Sequence, residues 1–325
     1  LLAVPIPFGL LLACLGAANP LPPEILEVWT RATKLSALGR HGAADTLARS
    51  QVWGRAPEGL VLRATLALGE FEDLHPPERL SRAESLLKQA GEALVGETSR
   101  KGRWLAMLEQ SQRSYLHALR GEELQATLSG SRAAGLAKDL LDDGLEDPDV
   151  LGVLGGYQFW KAQTLGPLRS LLGGDTRMAG LASTEKAAGS RSPLREVWRT
   201  SLLWIRFERR EFPLALEVVR QGLAECPGNR SYVQAEGDIL FRMGRLDEAL
   251  ERYRRSWKEY AGLETVPVNR QSAAGNLARI HFAAGRRDSA KAWLDTLDAT
   301  RYQAARRWLP PSLVRELAPV RSALR

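Results

Sequence analysis

Covalent bracing is almost absent from this chain. Only Cys14 and Cys226 occur in 325 residues, which excludes a disulfide framework and allows one internal crosslink at most. If Cys14 is removed or acylated, none can form, and Cys226 before Pro227 reads as a structural thiol. Histidine is nearly as scarce. His41, His75, His117 and His281 have no partner ligand at the local spacings that preorganise a metal. No Gly-rich phosphate loop follows a strand, and no Gly-x-Ser-x-Gly elbow occurs. Asp147-Pro148-Asp149 leads into Val150 and Leu151, so it reads as a helix N-cap rather than a calcium loop. Acid pairs such as Glu122-Glu123 and Asp142-Asp143 fall at helix ends, where solvation accounts for them. The expectation is a protein without catalysis, cofactor or metal.

Lysine is also rare, with eight against 37 arginines and 38 acidic residues, for a net charge of +7. The basic runs Arg206 to Arg210, Arg252 to Arg255 and Arg306-Arg307-Trp308 combine cations with aromatics, as a nucleic-acid surface does. Interleaved Glu208, Glu211, Glu251 and Glu259 would repel phosphate, so no nucleic-acid partner is expected.

What the chain has is leucine and alanine at helical spacing, with 44% apolar residues and only 7% aromatics. Few β-branched residues and no alternating run favour helix over strand. Breakers at Gly54, Pro57, Pro76-Pro77, Gly121, Gly144 and Pro148 divide the first half into helices. Arg100 to Arg120 and Glu122 to Asp142 are the longest.

A period appears further on. Ala215 and Ala249 are 34 residues apart, each near the start of the second helix of an amphipathic pair. The clearest unit begins at Arg230, with Gly237 in its first helix, Gly244 at the turn and Ala249 in its second. This resembles a tetratricopeptide repeat, in which small residues at positions 8 and 20 let two helices cross closely. Ala278, Gly285 and Ala290 repeat the pattern, as do Ala32, Gly39 and Ala44 with Trp29 one turn earlier. The unit opening at Pro193 departs from it, with Leu203 at the small position and Arg210 in place of the turn glycine. Units of this kind bury their apolar faces only by stacking. The resemblance therefore implies an all-α fold, a right-handed α-solenoid of antiparallel helix pairs.

Gly152 to Gly189 holds eight glycines and is expected to be an irregular segment in the middle of the solenoid. It resembles a segment of bacterial tetratricopeptide-like proteins of unassigned function. Tyr157, Phe159, Trp160, Arg169 and Arg177 make it a candidate pocket, or else a structural joint.

The resemblance also places a concave groove on the first helices. Transferred to this chain, its lining positions are Trp204, Phe207, Gln234, Asp238, Phe241, Arg279 and Phe282. An aromatic ladder with mixed polar neighbours suits a protein or peptide partner; the three phenylalanines alternatively fill contacts between repeats. At the other end, Leu10 to Ala18, an apolar core followed by small residues, reads as the end of an export signal. Leu11-Leu12-Ala13-Cys14 resembles a lipobox, giving membrane attachment through acylated Cys14, whereas cleavage after Ala18 would release a soluble periplasmic form.

The expected organisation is a leader over 1–18 and degenerate hairpins over 19–147. The glycine and aromatic segment follows over 148–192, then repeat units over 193–299 and a capping helix over 300–325, with Arg315, Glu316, Arg321 and Arg325 expected on its solvated face. The expected function is a non-enzymatic interaction scaffold, exported as a periplasmic protein or an outer-membrane lipoprotein. The alternative is a solute- or lipid-handling accessory protein with a pocket near residues 152–189.

Overall fold

The computed structural model describes residues 19–165, 174–263, 268–299 and 309–324. Cys14 and Arg169 lie outside the described residues. Among the described residues there are fifteen helices and no strand.

The helices pair in chain order. They are α1 (Pro23–Ala37) with α2 (His41–Arg49), α3 (Pro57–Leu74) with α4 (Pro77–Ala93), and α5 (Arg100–Leu119) with α6 (Glu123–Asp142). Next come α7 (Pro148–Leu165) with α8 (Arg177–Ala188) and α9 (Arg195–Glu208) with α10 (Phe212–Glu225). The last pairs are α11 (Arg230–Arg242) with α12 (Leu246–Glu259) and α13 (Val268–Ala283) with α14 (Arg287–Asp298), and α15 (Pro311–Ala323) closes the row. Each helix packs on its partner and on the next pair. The fold is an α-solenoid.

Local chemistry sets the helix ends. Proline opens α1, α3, α4, α10 and α15, where its missing N–H costs nothing. Ser99 and Asn229 cap α5 and α11 by accepting from Gly102 N and Tyr232 N at 3.0 and 3.1 Å. Asp147 Oδ1 accepts from Asp149 N at 2.9 Å, the local turn expected at the head of α7. Helix α9 starts two residues later than Pro193, because Ser192 Oγ accepts from Leu194 N at 2.9 Å and holds the chain in a turn first.

The notched positions behave as the repeat pattern requires. Ala32, Ala44, Ala215, Ala249, Ala278 and Ala290 have no exposed surface. A Cβ on Gly237 would come within 3.0 to 3.2 Å of the Tyr253 ring. The turn residues Gly39, Gly244 and Gly285 have φ of +72°, +74° and +73°, and Arg210 takes the same left-handed conformation at +61°.

The middle segment contains more regular structure than its glycines suggest. Residues 148–165 are one continuous helix, and Gly155 of α7 meets Gly180 of α8 backbone to backbone. Glycine here is a close-approach device rather than a breaker.

The row of pairs curls on itself. The first helices of separate pairs touch across the interior, α1 with α9, and α3 with both α11 and α13. Asp73, near the end of α3, fastens this closure. Its carboxylate accepts from Arg230 Nε at 3.0 Å and from the Tyr260 hydroxyl at 2.8 Å, and it lies 2.9 Å from His41 Nε2. Asn269 donates to the Glu72 and Asp73 carbonyls at 2.8 and 2.9 Å. Burial alone would raise the Asp73 pKa, but the bonds from His41 and Arg230 outweigh it and hold the group at about 2.

Candidate functional site

First helices α9, α11 and α13 lie in sequence along the inner face, and α15 takes the place of a further first helix beside α13. Together they enclose a cavity of about 180 Å³. Trp204 and Phe207 come from α9, Gln234, Asp238 and Arg242 from α11, and Ser272, Asn276 and Arg279 from α13. The closing helix adds Ser312, Leu313 and Glu316, with Pro310 just before it. Five of the seven residues that sequence assigned to a groove, Trp204, Phe207, Gln234, Asp238 and Arg279, thus share one cavity wall.

Two do not. Phe241 lies beneath Arg279, whose guanidinium sits 3.8 Å from the ring centroid. Phe282 packs against the last hydrophobic cluster, among residues such as Leu294 and Leu313. Both are half-buried contacts between repeats, because their positions on α11 and α13 turn towards neighbouring helices rather than the opening. Phe207 differs because it stands edge-on to Trp204, with ring centroids 5.4 Å apart. The Trp204 indole is 39% exposed, which leaves one apolar face at the cavity rim.

The charges in the wall are matched. Glu316 pairs with Arg279 and, at 2.8 Å, with Arg242. The Tyr253 hydroxyl donates to Asp238. Burial raises the Asp238 pKa, offset in part by that bond, and burial lowers that of Arg279. Two arginines therefore stand with two acids around the opening. Gln234, Ser272 and Arg279 each also carry a buried side-chain atom without a partner, Oε1, Oγ and Nε.

Of the candidate pocket residues in the middle segment, Tyr157, Phe159, Trp160 and Arg177 lie among the described residues. Phe159 is fully buried in the core, while Trp160 is 40% exposed. Tyr157 covers Gly130 on α6. Arg177 donates to Asp175 through Nε at 2.8 Å. Phe159 and Trp160 stand edge-on with ring centroids 5.2 Å apart.

Sequence reasoning missed Arg242 and Ser272, although both occupy groove positions of the repeat, the thirteenth and the second. Glu316 had no such signal and was expected on the solvated face of the cap. Its two salt bridges instead place it in the groove. Arg321 likewise bonds Asp298 at 2.8 Å through Nη2.

Ser36, His41 and Asp73 form a further constellation that sequence did not anticipate. Ser36 Oγ lies 3.2 Å from His41 Nδ1, and His41 Nε2 lies 2.9 Å from Asp73. The order resembles an acyl-transfer relay, but His41 is only 7% exposed and Asp73 is shared with Arg230 and Tyr260. The geometry serves a joint between α1, α2, α3 and α11. Among the described residues no group of three or more His, Cys, Asp or Glu side chains could hold a metal ion. Nor, among them, is any helix long and apolar enough to cross a membrane.

Stacked helix pairs with a lined inner face define a repeat-protein scaffold. Residues 240–309 match the family model for the tetratricopeptide repeat, so this stretch carries tetratricopeptide repeats. Repeats of this family generally mediate contacts between proteins. No curated relative matches the chain. Among solved structures it is similar to Pseudomonas aeruginosa PilF at 14% identity, over 79% of this chain and 100% of that one, with a TM-score of 0.43. A tetratricopeptide repeat protein from Parabacteroides merdae shares 16% identity over 92% of this chain and 99% of its own, also at 0.43. The human IFIT1 dimer with m7Gppp-AAAA shares 10% over 94% and 83%, at 0.46. These likenesses are too distant to carry any function across.

Proposed function

We propose that this protein is a non-enzymatic scaffold that holds a segment of a protein partner in the groove between α9, α11, α13 and α15. The observation that carries this reading is the convergence of Trp204, Phe207, Gln234, Asp238 and Arg279 on one cavity. A rim tryptophan beside buried polar groups is the kind of anchor on which peptide recognition concentrates. The export signal read at Leu10 to Ala18 supports a scaffold of the bacterial cell envelope, either acylated at Cys14 or released after Ala18.

The test is a photo-crosslinking amino acid at Ser312, which is exposed and lines the cavity. Randomised peptides should crosslink there, and Trp204→Ala should abolish the crosslink while circular dichroism stays unchanged. Equal crosslinking by Trp204→Ala would remove the groove reading. A loss of helicity would instead assign Trp204 to the core. For the compartment, mass spectrometry of the mature N-terminus after cell fractionation should find cleavage at Cys14 or Ala18; an uncleaved cytosolic chain would refute export.

A further inference from the structure

We infer that the form acylated at Cys14 rests on its lipid surface through one rim of the solenoid, with Val52 and Val95 entering the lipid. This rests on the acylated form proposed above and names the face it turns to the membrane. The rim is made by the first ends of α1, α3, α5 and α7. Asn19, just ahead of α1, donates through Nδ2 to Asp147 Oδ2 at 3.2 Å, and Asp147, just ahead of α7, accepts from the Trp104 indole of α5 at 3.0 Å. Lys101 at the start of α5 lies 3.6 Å from Glu58 at the start of α3. Arg100 donates to the Asp143 carbonyl, in the turn before α7, at 3.2 Å.

The chain from Cys14 arrives at this rim. Four residues separate Cys14 from Asn19, so an acyl anchor on Cys14 keeps Asn19 within about 17 Å of the lipid. The other ends of the helices are more remote, since α5, at 20 residues, is about 30 Å long. Val52 and Val95 are the two most exposed large apolar side chains among the described residues, at 105% and 82%, and both stand on this rim. Each has a neighbour that anchors its turn. Trp53 packs against the core before α3, and Leu94 is buried before α5. The turns are closed by Ala56 N donating to the Trp53 carbonyl at 2.9 Å and Glu97 N to the Leu94 carbonyl at 3.1 Å.

Isolated exposed apolar residues need no explanation, but these two coincide with the place where the anchor enters. Two valines offer too little apolar surface to hold a chain on lipid unaided. The tether makes their contact intramolecular, and a weak contact then suffices to set the orientation of the scaffold. Exposed charges on the rim are of both signs, Arg55 and Arg100 with Glu97 and Glu146, so the docking is apolar and does not depend on salt.

The experiment couples the mature chain from Cys14 onward, through that thiol, to a maleimide lipid in vesicles of phosphatidylethanolamine and phosphatidylglycerol; Cys226 is buried and stays unmodified. Hydrogen exchange read by mass spectrometry should slow roughly threefold or more over 50–56 and 94–99 on the vesicles, while the turn at 120–122, at the other end of α5, keeps its solution rate. Val52→Asp combined with Val95→Asp should restore solution rates at the rim. Both side chains are exposed, so the melting temperature should hold, which separates lost docking from lost folding. The protection should persist at about 0.5 M salt, where contacts between charges are screened. Equal exchange at the two ends of α5, protection kept by the double variant, or protection lost in salt would overturn the inference, and the first result would leave the valines to a protein partner. Cellular chains that begin at Asn19 would defeat the acylated form and this inference with it. Chains acylated at Cys14 that show no protected rim would defeat this inference alone.

Discussion

The pairs over 193–299 and the pairs over 57–190 meet the same packing demand at different places along their helices. In the C-terminal pairs the buried small residues fall at a fixed register, Gly237 then Ala249 and Ala278 then Ala290, and the turn glycines Gly244 and Gly285 each follow seven residues after the first of them. In the middle pairs the close approach falls wherever glycine happens to lie. Gly155 and Gly180 touch through their backbones, and Gly152 lies against the face of the Trp198 indole. Helices α5 and α6 extend to 20 residues each, so no 34-residue period survives. A repeat is visible in sequence only when the notch keeps its register; the packing itself does not require that.

The cores divide along the same line. One continuous hydrophobic cluster runs from Leu21 to Ile205, whereas the C-terminal pairs bury two separate clusters. The Asp73 clasp ties the two regions together, and breaking it should have the largest effect. Asp73→Ala would leave the Arg230 guanidinium, His41 and Tyr260 without their shared acceptor. Truncating one partner of a buried pair costs about 3–5 kcal/mol, which thermal denaturation would register as a fall on the order of 10 °C. The folded pKa of about 2 lies below the unfolded value of 3.8. The clasp's stabilisation is therefore complete above about pH 4 and is lost as pH falls towards 2. Acid unfolding of Asp73→Ala should lack that component.

The notches give the next contrast. A Cβ on Gly155 would stand 2.7 Å from the Gly180 carbonyl oxygen, which is backbone and cannot step aside. On Gly237 it would meet a tyrosine ring at 3.0 Å or more. Overpacking costs about 1–3 kcal/mol, and Gly155→Ala should sit at the top of that range and Gly237→Ala at the bottom. Equal losses in urea unfolding would show that the middle pairs are no more rigidly packed than the C-terminal ones.

A buried acid distinguishes the joint between the regions. Asp149 accepts from the Trp198 indole at 2.6 Å and also from Ser192, and its other oxygen has no partner. Burial, and then the neighbouring charge of Asp147, push its pKa up to about 7. Between about pH 4 and 7 the folded chain holds a proton that the unfolded chain has released, so stability falls as pH rises through that window. Asp149→Asn should flatten this slope while keeping the acceptor for Trp198. An unchanged pH profile between 4 and 7 would show that Asp149 is ionised in the fold.

What sequence could show follows from distance along the chain. Small residues, turn glycines and the groove positions of α9, α11 and α13 are local in register, and they were readable. Asp73 meets Arg230 and Asn269 across 157 and 196 residues, with no spacing to announce it. Glu316 reaches Arg242 across 74, and it reads as a solvated cap residue until α15 is seen beside α13. Gly152, Gly155, Gly156 and Gly180 signal turns by composition, yet they lie inside α7 and α8, because only a neighbouring helix decides which use a glycine serves.

The smallest predicted effect tests the degenerate repeat itself. At Arg210 the turn needs a left-handed residue and has one with a Cβ, at φ +61°; Gly244 meets the same need one period later at φ +74°. A Cβ on Gly244 would find nothing within 4 Å, so substitution there reports backbone conformation alone. The left-handed region costs a non-glycine residue about 1–2 kcal/mol, and glycine gives back about 0.5–1 kcal/mol through its freer unfolded chain. Arg210→Gly should therefore stabilise by about 0.5–1 kcal/mol, and Gly244→Ala should destabilise by a similar amount. Opposite shifts of a few degrees in melting temperature would show that the two turns differ only in their residue. If Arg210→Gly instead destabilised the fold, the arginine side chain would be supplying contacts that glycine does not, and the unit at 193 would be a departure from the repeat rather than a worn copy of it.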